Sequence, residues 1–253
     1  MKFLWQLLIV FFTAANCYAL SVGDSYDGGT VFCVSGKDQD IADCNTVGSG
    51  EYGLIMANED QANLEINESN KGITWSKEQS TTNASSNDDG AANTIAIINA
   101  RPDDDASNNA AYLCRDYKNN TGWYLPSKNE LNKMYIYAKA HNLIGKNCSG
   151  KQEDGVQCFI GGNSDRYKAY WSSTERFGGE INVWSQYFSN GFQRSYHKNY
   201  YFGVRPVRAF NPLTIRQQDI KKLNEETGRL TNELESLLFN FESLLVNKGW
   251  SIQ

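Results

Sequence analysis

Basic and aromatic side chains are interleaved in one stretch of this chain, between Gly161 and Tyr201. The basic candidates are Arg166, Lys168, Arg176, Arg194 and Lys198, and the aromatic candidates are Tyr167, Tyr187, Tyr196 and Tyr200. A guanidinium fork matches the geometry of a sulfate group, and an aromatic face can stack on a sugar ring. The composition therefore suits a ligand-binding surface, although solvated side chains on a hairpin would look the same.

The sequence gives no support for catalysis or for a metal centre. A nucleophile needs a base beside it, and the chain has two histidines, His141 and His197, and no nucleophile motif. No Cys-x-x-Cys pair is present to suggest zinc. The acidic run 103–105 could hold a cation, but a solvated turn with a helix N-cap is the favoured interpretation. We therefore expect neither enzyme activity nor a cofactor.

Ordered sequence blocks must position the basic and aromatic side chains. The first block spans 121–131 and reads TGWYLPSKNEL, in which Ser127 and Glu130 form an S-x-x-E capping box after Pro126. The second reads YWSST over 170–174, and the third reads GVRPVRAF over 203–210. Two upstream blocks read DGAANT over 89–94 and AAYLC over 110–114. Together they predict a capped helix followed by aromatic strands.

These blocks, in this order, resemble the Lcl C-terminal domain family, which bacteria fuse to collagen-like adhesins and other surface proteins. The resemblance covers roughly residues 26–210. It implies a C-type-lectin-like fold and points to host or matrix glycans as ligands, sulfated glycosaminoglycans in particular. The chain is also distantly similar to sulfatase-modifying proteins, but it has no cysteine after Cys158 to match their late pair. Calcium chelation of sugars is in doubt, because the Glu-Pro-Asn, Gln-Pro-Asp and Trp-Asn-Asp tripeptides of calcium-dependent lectins are missing.

Several residues of these blocks are predicted to be structural. Glu130 and Arg205 lie in blocks that meet in the implied fold, so a buried ion pair between them is expected. Trp123, Trp171 and Trp184 are expected to be core anchors, because a strand-borne Trp usually buries most of its surface.

The first residues predict export. An apolar run from Phe3 to Phe12 follows Lys2 and leads to small residues that end at Ala19, which is the pattern of a cleaved signal peptide. A lipid-modified Cys17 is the minor alternative. The predicted location is secreted or at the cell surface.

Removal of that segment leaves an odd number of cysteines, so one thiol has no partner within the chain. Cys33 with Cys44, and Cys148 with Cys158, bracket short polar loops, and two local disulfides are the economical assignment. Cys114 then remains as a buried free thiol.

Composition and periodicity define the domain organisation. The 253-residue chain has a formal net charge of −5, which argues against a nucleic-acid partner. The predicted parts are a signal peptide over 1–19, an α+β domain over 20–211 and a C-terminal helix over 212–253. The family resemblance implies that the domain is C-type-lectin-like. Small twisted antiparallel sheets and two or three helices are expected in the domain. In the C-terminal helix, apolar residues recur at heptad spacing, which favours a coiled coil and a homo-oligomer over a helix packed on its own domain.

The predicted strands span 28–34, 53–57, 171–174, 183–189, 192–196 and 201–210, with a hairpin turn at Asn190-Gly191. The predicted helices span 94–100, 108–117 and 127–142. We interpret the protein as a bacterial ligand-binding module, an adhesin for glycans. The alternative is a structural subunit of a surface assembly that binds other protein chains and no sugar.

Overall fold

A computed structural model describes residues 20–34, 53–61, 65–67, 70–119, 122–145, 158–159, 169–178 and 181–248. Side chains are not described for 65–67, 70–71, 145, 158–159 and 212–219. The fold is mixed α+β, as predicted, and Leu20–Phe210 form one compact unit. None of the helices within these ranges combines the length and apolar character needed to cross a membrane.

A four-stranded antiparallel sheet joins the two ends of the compact unit. Its strands are β1 (Ser25–Tyr26), β2 (Gly29–Val34), β3 (Gly53–Ala57) and β11 (Val207–Phe210), in the order β1-β2-β3-β11. The predicted strands 28–34 and 53–57 correspond to β2 and β3 and are confirmed to within one residue. The last is shorter than the predicted 201–210, because Phe202, Gly203 and Val204 form only isolated bridges to other segments.

A second sheet of three antiparallel strands carries much of the predicted binding region. Its strands are β8 (Tyr170–Glu175), β9 (Asn182–Gln186) and β10 (Gln193–His197), in the order β10-β9-β8. Two further pairs are β4 (Glu65–Asn67) with β5 (Asn70–Lys71), and β6 (Ile144–Gly145) with β7 (Cys158–Phe159).

The β9–β10 hairpin is confirmed, but its turn is longer than a two-residue Asn-Gly turn. The Tyr187 amide donates to the Phe192 carbonyl at 2.9 Å, and the Gly191 amide donates to the Tyr187 carbonyl at 2.8 Å. The connection is wide because the Phe188 side chain within it is buried in the core. Gly191 still adopts the left-handed conformation, with a φ of 78°.

Four helices are described: α1 (Gly90–Ala100), α2 (Ala110–Arg115), α3 (Lys128–Ala140) and α4 (Pro212–Asn247). The capping box of Ser127 and Glu130 is present at the start of α3, as predicted. Helix α1 begins four residues earlier than predicted, because the Asp89 side chain accepts from the Ala92 amide and caps it. The acidic turn before α2 has Asp105 accepting from the Ser107 amide at 2.7 Å, and Asn109 caps the helix.

Two apolar clusters form the core of the compact unit. One packs Leu131 and Met134 of α3 against Phe32 and Leu54 of the four-stranded sheet. The other surrounds Trp171 and includes members of α1 and α2. Trp123 is 2% exposed and Trp171 is fully buried.

The cysteines are described only in part. Cys33 is disulfide-bonded, and Cys114 is a buried free thiol. Burial raises the pKa of the Cys114 thiol well above its ordinary value. Cys44, Cys148 and the side chain of Cys158 lie outside the described residues, so the two pairings stay predictions.

Candidate functional site

A cleft of about 510 Å³ opens beside the end of β8. We call it the β8–β9 cleft, and its lining residues are Ser85, Asn87, Lys128, Glu175, Arg176, Phe177 and Trp184. Its volume lies in the range of sites that hold small organic ligands. All the lining residues come from the compact unit.

Lys128 is held in the cleft by contacts of both its main chain and its side-chain ammonium. Its ammonium lies 3.8 Å from the centre of the Trp184 ring, a cation–π contact. Its amide donates to Thr174 Oγ1 at 3.0 Å, and its carbonyl accepts from Gln193 Nε2 at 2.8 Å. Because main chain and side chain are both fixed, the ammonium is preorganised at the cleft.

Arg176 and Phe177 form the rim where β8 ends. The Arg176 amide donates to the Asn182 carbonyl at 2.9 Å, which fixes the backbone, while its side chain is exposed. The Phe177 ring is 100% exposed. Neither Lys128 nor Arg176 has an ion-pair partner within the described part of the chain. Among the described residues, the cleft therefore has two cations without a carboxylate partner and an exposed aromatic ring.

Glu175 also lines the cleft, but its charge is neutralised from the protein side. Its carboxylate accepts from Lys198 Nζ at 2.5 Å, from the Thr82 amide at 2.9 Å and from the Thr81 hydroxyl at 3.0 Å. Lys198 is fully buried and also donates to the Ser80 carbonyl at 2.6 Å. With Glu175 compensated, Lys128 and Arg176 are the cations that dominate the charge of the described cleft residues.

The prediction that Lys198 contacts the ligand is therefore wrong. Its ammonium is buried against Glu175 and lies 4.9 Å from the centre of the Trp75 ring. A cation without access to solvent cannot reach an external glycan. Its position indicates that it supports the cleft through Glu175.

Glu130 joins the starts of two helices close to the cleft. Its carboxylate accepts from the Ser127 amide at 2.7 Å, the Gly90 amide at 3.1 Å and the Tyr124 hydroxyl at 2.9 Å. Burial raises the pKa of Glu130 to about 7. The predicted ion pair with Arg205 is wrong, because Arg205 pairs with Asp60 at 2.5 Å.

The sequence blocks that carry the family resemblance meet at this place. Glu130 of the first block binds the amide of Gly90 in the upstream block. Asn93 Nδ2 donates to the Ser173 hydroxyl at 3.2 Å, and the Thr174 hydroxyl donates to the Ser86 carbonyl at 2.8 Å. These bonds tie α1, α3 and β8 together, and thereby fix Lys128 relative to Glu175 and Arg176.

A second group of predicted residues lies on the other face of the hairpin. We call Tyr187, Tyr196, Tyr200 and Arg194 the tyrosine shelf. Side chains alternate between the two faces along a strand. Trp184 and its partner Ser195 therefore face the cleft side of the β9–β10 hairpin. The opposite face carries the pairs Val183–Tyr196 and Ser185–Arg194.

The tyrosine shelf is an ordered aromatic surface. The Tyr196 and Tyr200 ring centres are 5.4 Å apart, and the Arg194 guanidinium lies 5.9 Å from the centre of the Tyr187 ring. The Tyr187 and Tyr196 hydroxyls are hydrogen-bonded to each other. Burial, together with that bond, raises the pKa of Tyr187 to about 12. Tyr200 is half exposed, so it is the most accessible ring of the three.

The structure thus divides the predicted ligand-binding residues. Arg176 lies in the β8–β9 cleft, and Arg194 lies in the tyrosine shelf. Arg166, Tyr167 and Lys168 lie outside the described residues.

Two cleft residues were misjudged or missed from the sequence. Trp184 is only partly buried and lines the cleft, so its assignment as a core anchor is corrected. Its outward position follows from the alternation of β9, in which Val183 and Ser185 are the buried neighbours. Lys128 was missed, although its place directly after the capping residue Ser127 was available as a signal.

Comparison with family models shows which protein family this chain belongs to. The model of the Lcl C-terminal domain matches residues 65–208. The chain belongs to the Lcl C-terminal domain family. Membership indicates a domain of a bacterial surface or secreted protein. A search of curated proteins finds no match. The matched segment of this Lcl C-terminal domain contains every residue that lines the β8–β9 cleft.

Proposed function

We propose that this protein is an exported adhesin that binds acidic glycans, sulfated ones in particular, in the β8–β9 cleft. The observation that carries the proposal is a pair of cations, Lys128 and Arg176, beside the exposed Phe177 ring. Neither cation has a carboxylate partner in the part of the chain that the structure describes. An ammonium and a guanidinium bind sulfate or carboxylate groups, and an exposed ring can pack on the apolar face of a sugar. Asn87 and Ser85 add polar groups for sugar hydroxyls.

Charge distribution supports an anionic ligand. The whole chain is acidic, with a formal net charge of −5. Two buried arginines of the compact unit serve the structure instead, because Arg101 donates to Ser76 and Ser80, and Arg205 pairs with Asp60. Lys128 and Arg176 have no carboxylate partner among the described residues, so a negatively charged ligand can pair with them.

The proposal includes a C-type-lectin-like arrangement of the compact unit and export through the N-terminal segment. It involves binding without catalysis. Recognition through Lys128 and Arg176 would not depend on calcium, because both groups are cationic.

The first test measures the binding of a short sulfated heparin oligosaccharide by isothermal titration calorimetry, beside its desulfated counterpart. Lys128→Gln and Arg176→Gln should each weaken binding of the sulfated ligand about 10-fold, the equivalent of roughly 1.4 kcal/mol for one lost charged contact. Lys139→Gln is the matched control, because this exposed lysine lies at the other end of α3. It should change binding less than twofold.

Salt and a second arginine sharpen this test. Binding should weaken as salt rises, since exposed charges are screened. Arg194→Gln separates the β8–β9 cleft from the tyrosine shelf, and it should leave binding unchanged. If Arg194→Gln abolishes binding while Arg176→Gln does not, the tyrosine shelf is the site. Equal binding of the desulfated ligand would refute the sulfate preference.

A structural subunit of a surface assembly is the second candidate function. The observation that favours it is the row of exposed apolar side chains along α4, which suits protein contacts. It predicts defined protein partners together with no glycan binding by the folded chain, whereas the adhesin predicts glycan binding that the cleft substitutions remove.

A further inference from the structure

Helix α4 exposes a long row of large apolar side chains. The members of its heptad seam are Ile220, Leu223, Leu230, Leu234, Leu237, Phe241 and Leu244, each between 42% and 66% exposed. Soluble proteins rarely expose a continuous apolar surface of this length, and such surfaces usually mark an interaction site. The helix has 36 residues, so it extends about 54 Å at 1.5 Å per residue.

The sequence of α4 favours a second copy of the same helix as the occupant. Its apolar residues alternate three and four positions apart, which is the spacing of a coiled-coil seam. In addition, the tetrapeptide Glu-Ser-Leu-Leu starts at Glu235 and again at Glu242, one heptad later. Identical helices aligned in register would therefore present matching layers to one another along this half.

The polar position in the seam is already satisfied within the helix. The Thr227 hydroxyl donates to the Leu223 carbonyl at 2.7 Å, and the Thr231 hydroxyl donates to the Thr227 carbonyl at 2.9 Å. The Thr227 hydroxyl would therefore keep its acceptor, the Leu223 carbonyl, even when it is buried between helices. An interface can include this residue at little cost.

The charges beside the seam are also compensated. At the described positions directly beside the seam, Glu226 and Glu233 are acidic, and Arg229 lies within 4.0 Å and 2.6 Å of their carboxylates, respectively. Lys221 and Glu225 form a further pair on the same helix. Copies of α4 can approach without unbalanced acidic rows facing each other.

The width of the apolar face sets the number of copies. Leu238 and Leu245 follow Leu234 and Phe241 by four residues, so a third apolar column runs beside the seam in the second half of the helix. Two helices would leave this column in water, whereas three helices can enclose it. A parallel arrangement aligns Thr227 with Thr227 and Phe241 with Phe241, but an antiparallel one would set the polar layer against apolar layers.

We propose that α4 assembles with two other copies of itself into a parallel three-stranded coiled coil. Three ligand-binding domains would then be carried by one particle, and several weak contacts with a glycan surface would act together. The assembly itself does not depend on the proposed glycan binding.

The test is the mass in solution of the chain from residue 20 onward, measured by light scattering over a range of concentrations. We expect three times the mass of one chain. Leu237→Lys should reduce the mass threefold, because it puts a charge at the centre of the seam, while Ser236→Lys, the adjacent position outside the seam, should leave the trimer intact. A monomer at every concentration, a dimer, or an unchanged mass for Leu237→Lys would overturn the proposal.

A cysteine variant tests the direction of the helices. Leu244→Cys should form a disulfide between chains on oxidation, because parallel helices bring the two positions together, and antiparallel helices keep them apart. A chain that stays monomeric and instead binds vesicles of anionic lipid would show that a membrane surface covers α4. The affinity for a short sulfated oligosaccharide tests the β8–β9 cleft separately from assembly. Leu237→Lys should leave this affinity unchanged.

Discussion

At the scale of single residues, Glu130 links stability to pH. Its pKa in the folded chain is raised to about 7, from 4.5, chiefly by burial. The folded state therefore holds this proton more tightly than the unfolded state between these two values. Stability should fall as pH rises from about 4.5 to 7 and level off above, with a change of roughly 3 kcal/mol at most.

Glu130→Gln isolates this effect. An amide oxygen can accept from the Ser127 and Gly90 amides, and the amide nitrogen can donate to Tyr124, so the substitution keeps the contacts and removes the titration. Urea unfolding at a series of pH values should show wild type losing stability relative to Glu130→Gln as pH rises from 5 to 8. A constant difference between the two proteins across this range would contradict the assignment.

At the scale of elements, the β9–β10 hairpin contacts α3 through Gly191. This glycine has a φ of 78°, and an added Cβ would lie 2.5 Å from the Tyr135 ring of α3. Gly191→Ala should therefore lose about 1–2 kcal/mol from backbone strain and about 1–3 kcal/mol more from overpacking. Gly178→Ala is the matched control, since its φ is 73° and an added Cβ there meets nothing within 4 Å. Equal losses in thermal or urea unfolding would show that the contact with Tyr135 is unimportant.

Local signals predicted most elements, and tertiary contacts explain the exceptions. The capping box located α3, and alternation located β9 and β10, because both features are encoded within a few neighbouring residues. The partner of Arg205 was not predictable in this way, since Asp60 lies far away in sequence and outside the quoted blocks. The cleft was missed for the same reason. It forms only when the segment with Asn87 meets Lys128 and the end of β8.

At the scale of the whole molecule, the blocks of the family resemblance act mainly as scaffold. Glu130, Asn93 and Thr174 form hydrogen bonds with one another's segments. Lys128, inside the first block, and Arg176, two residues after the second, line the cleft instead. Family membership alone therefore says more about the frame than about the ligand.

The predicted disulfides determine how many free thiols the whole molecule has and how strongly its stability depends on oxidation. Cys33 is disulfide-bonded at the end of β2, and Cys114 is buried as a free thiol. If Cys33 pairs with Cys44, and Cys148 with Cys158, the chain from residue 20 onward should show one reactive thiol after denaturation and none, or a slowly reacting one, when folded. Each bridge closes a short loop and should contribute about 3 kcal/mol, so reduction should lower the midpoint of urea unfolding. Peptide mapping of the unreduced protein would identify the pairs. Three reactive thiols in the denatured chain would mean that only one of the two bridges forms.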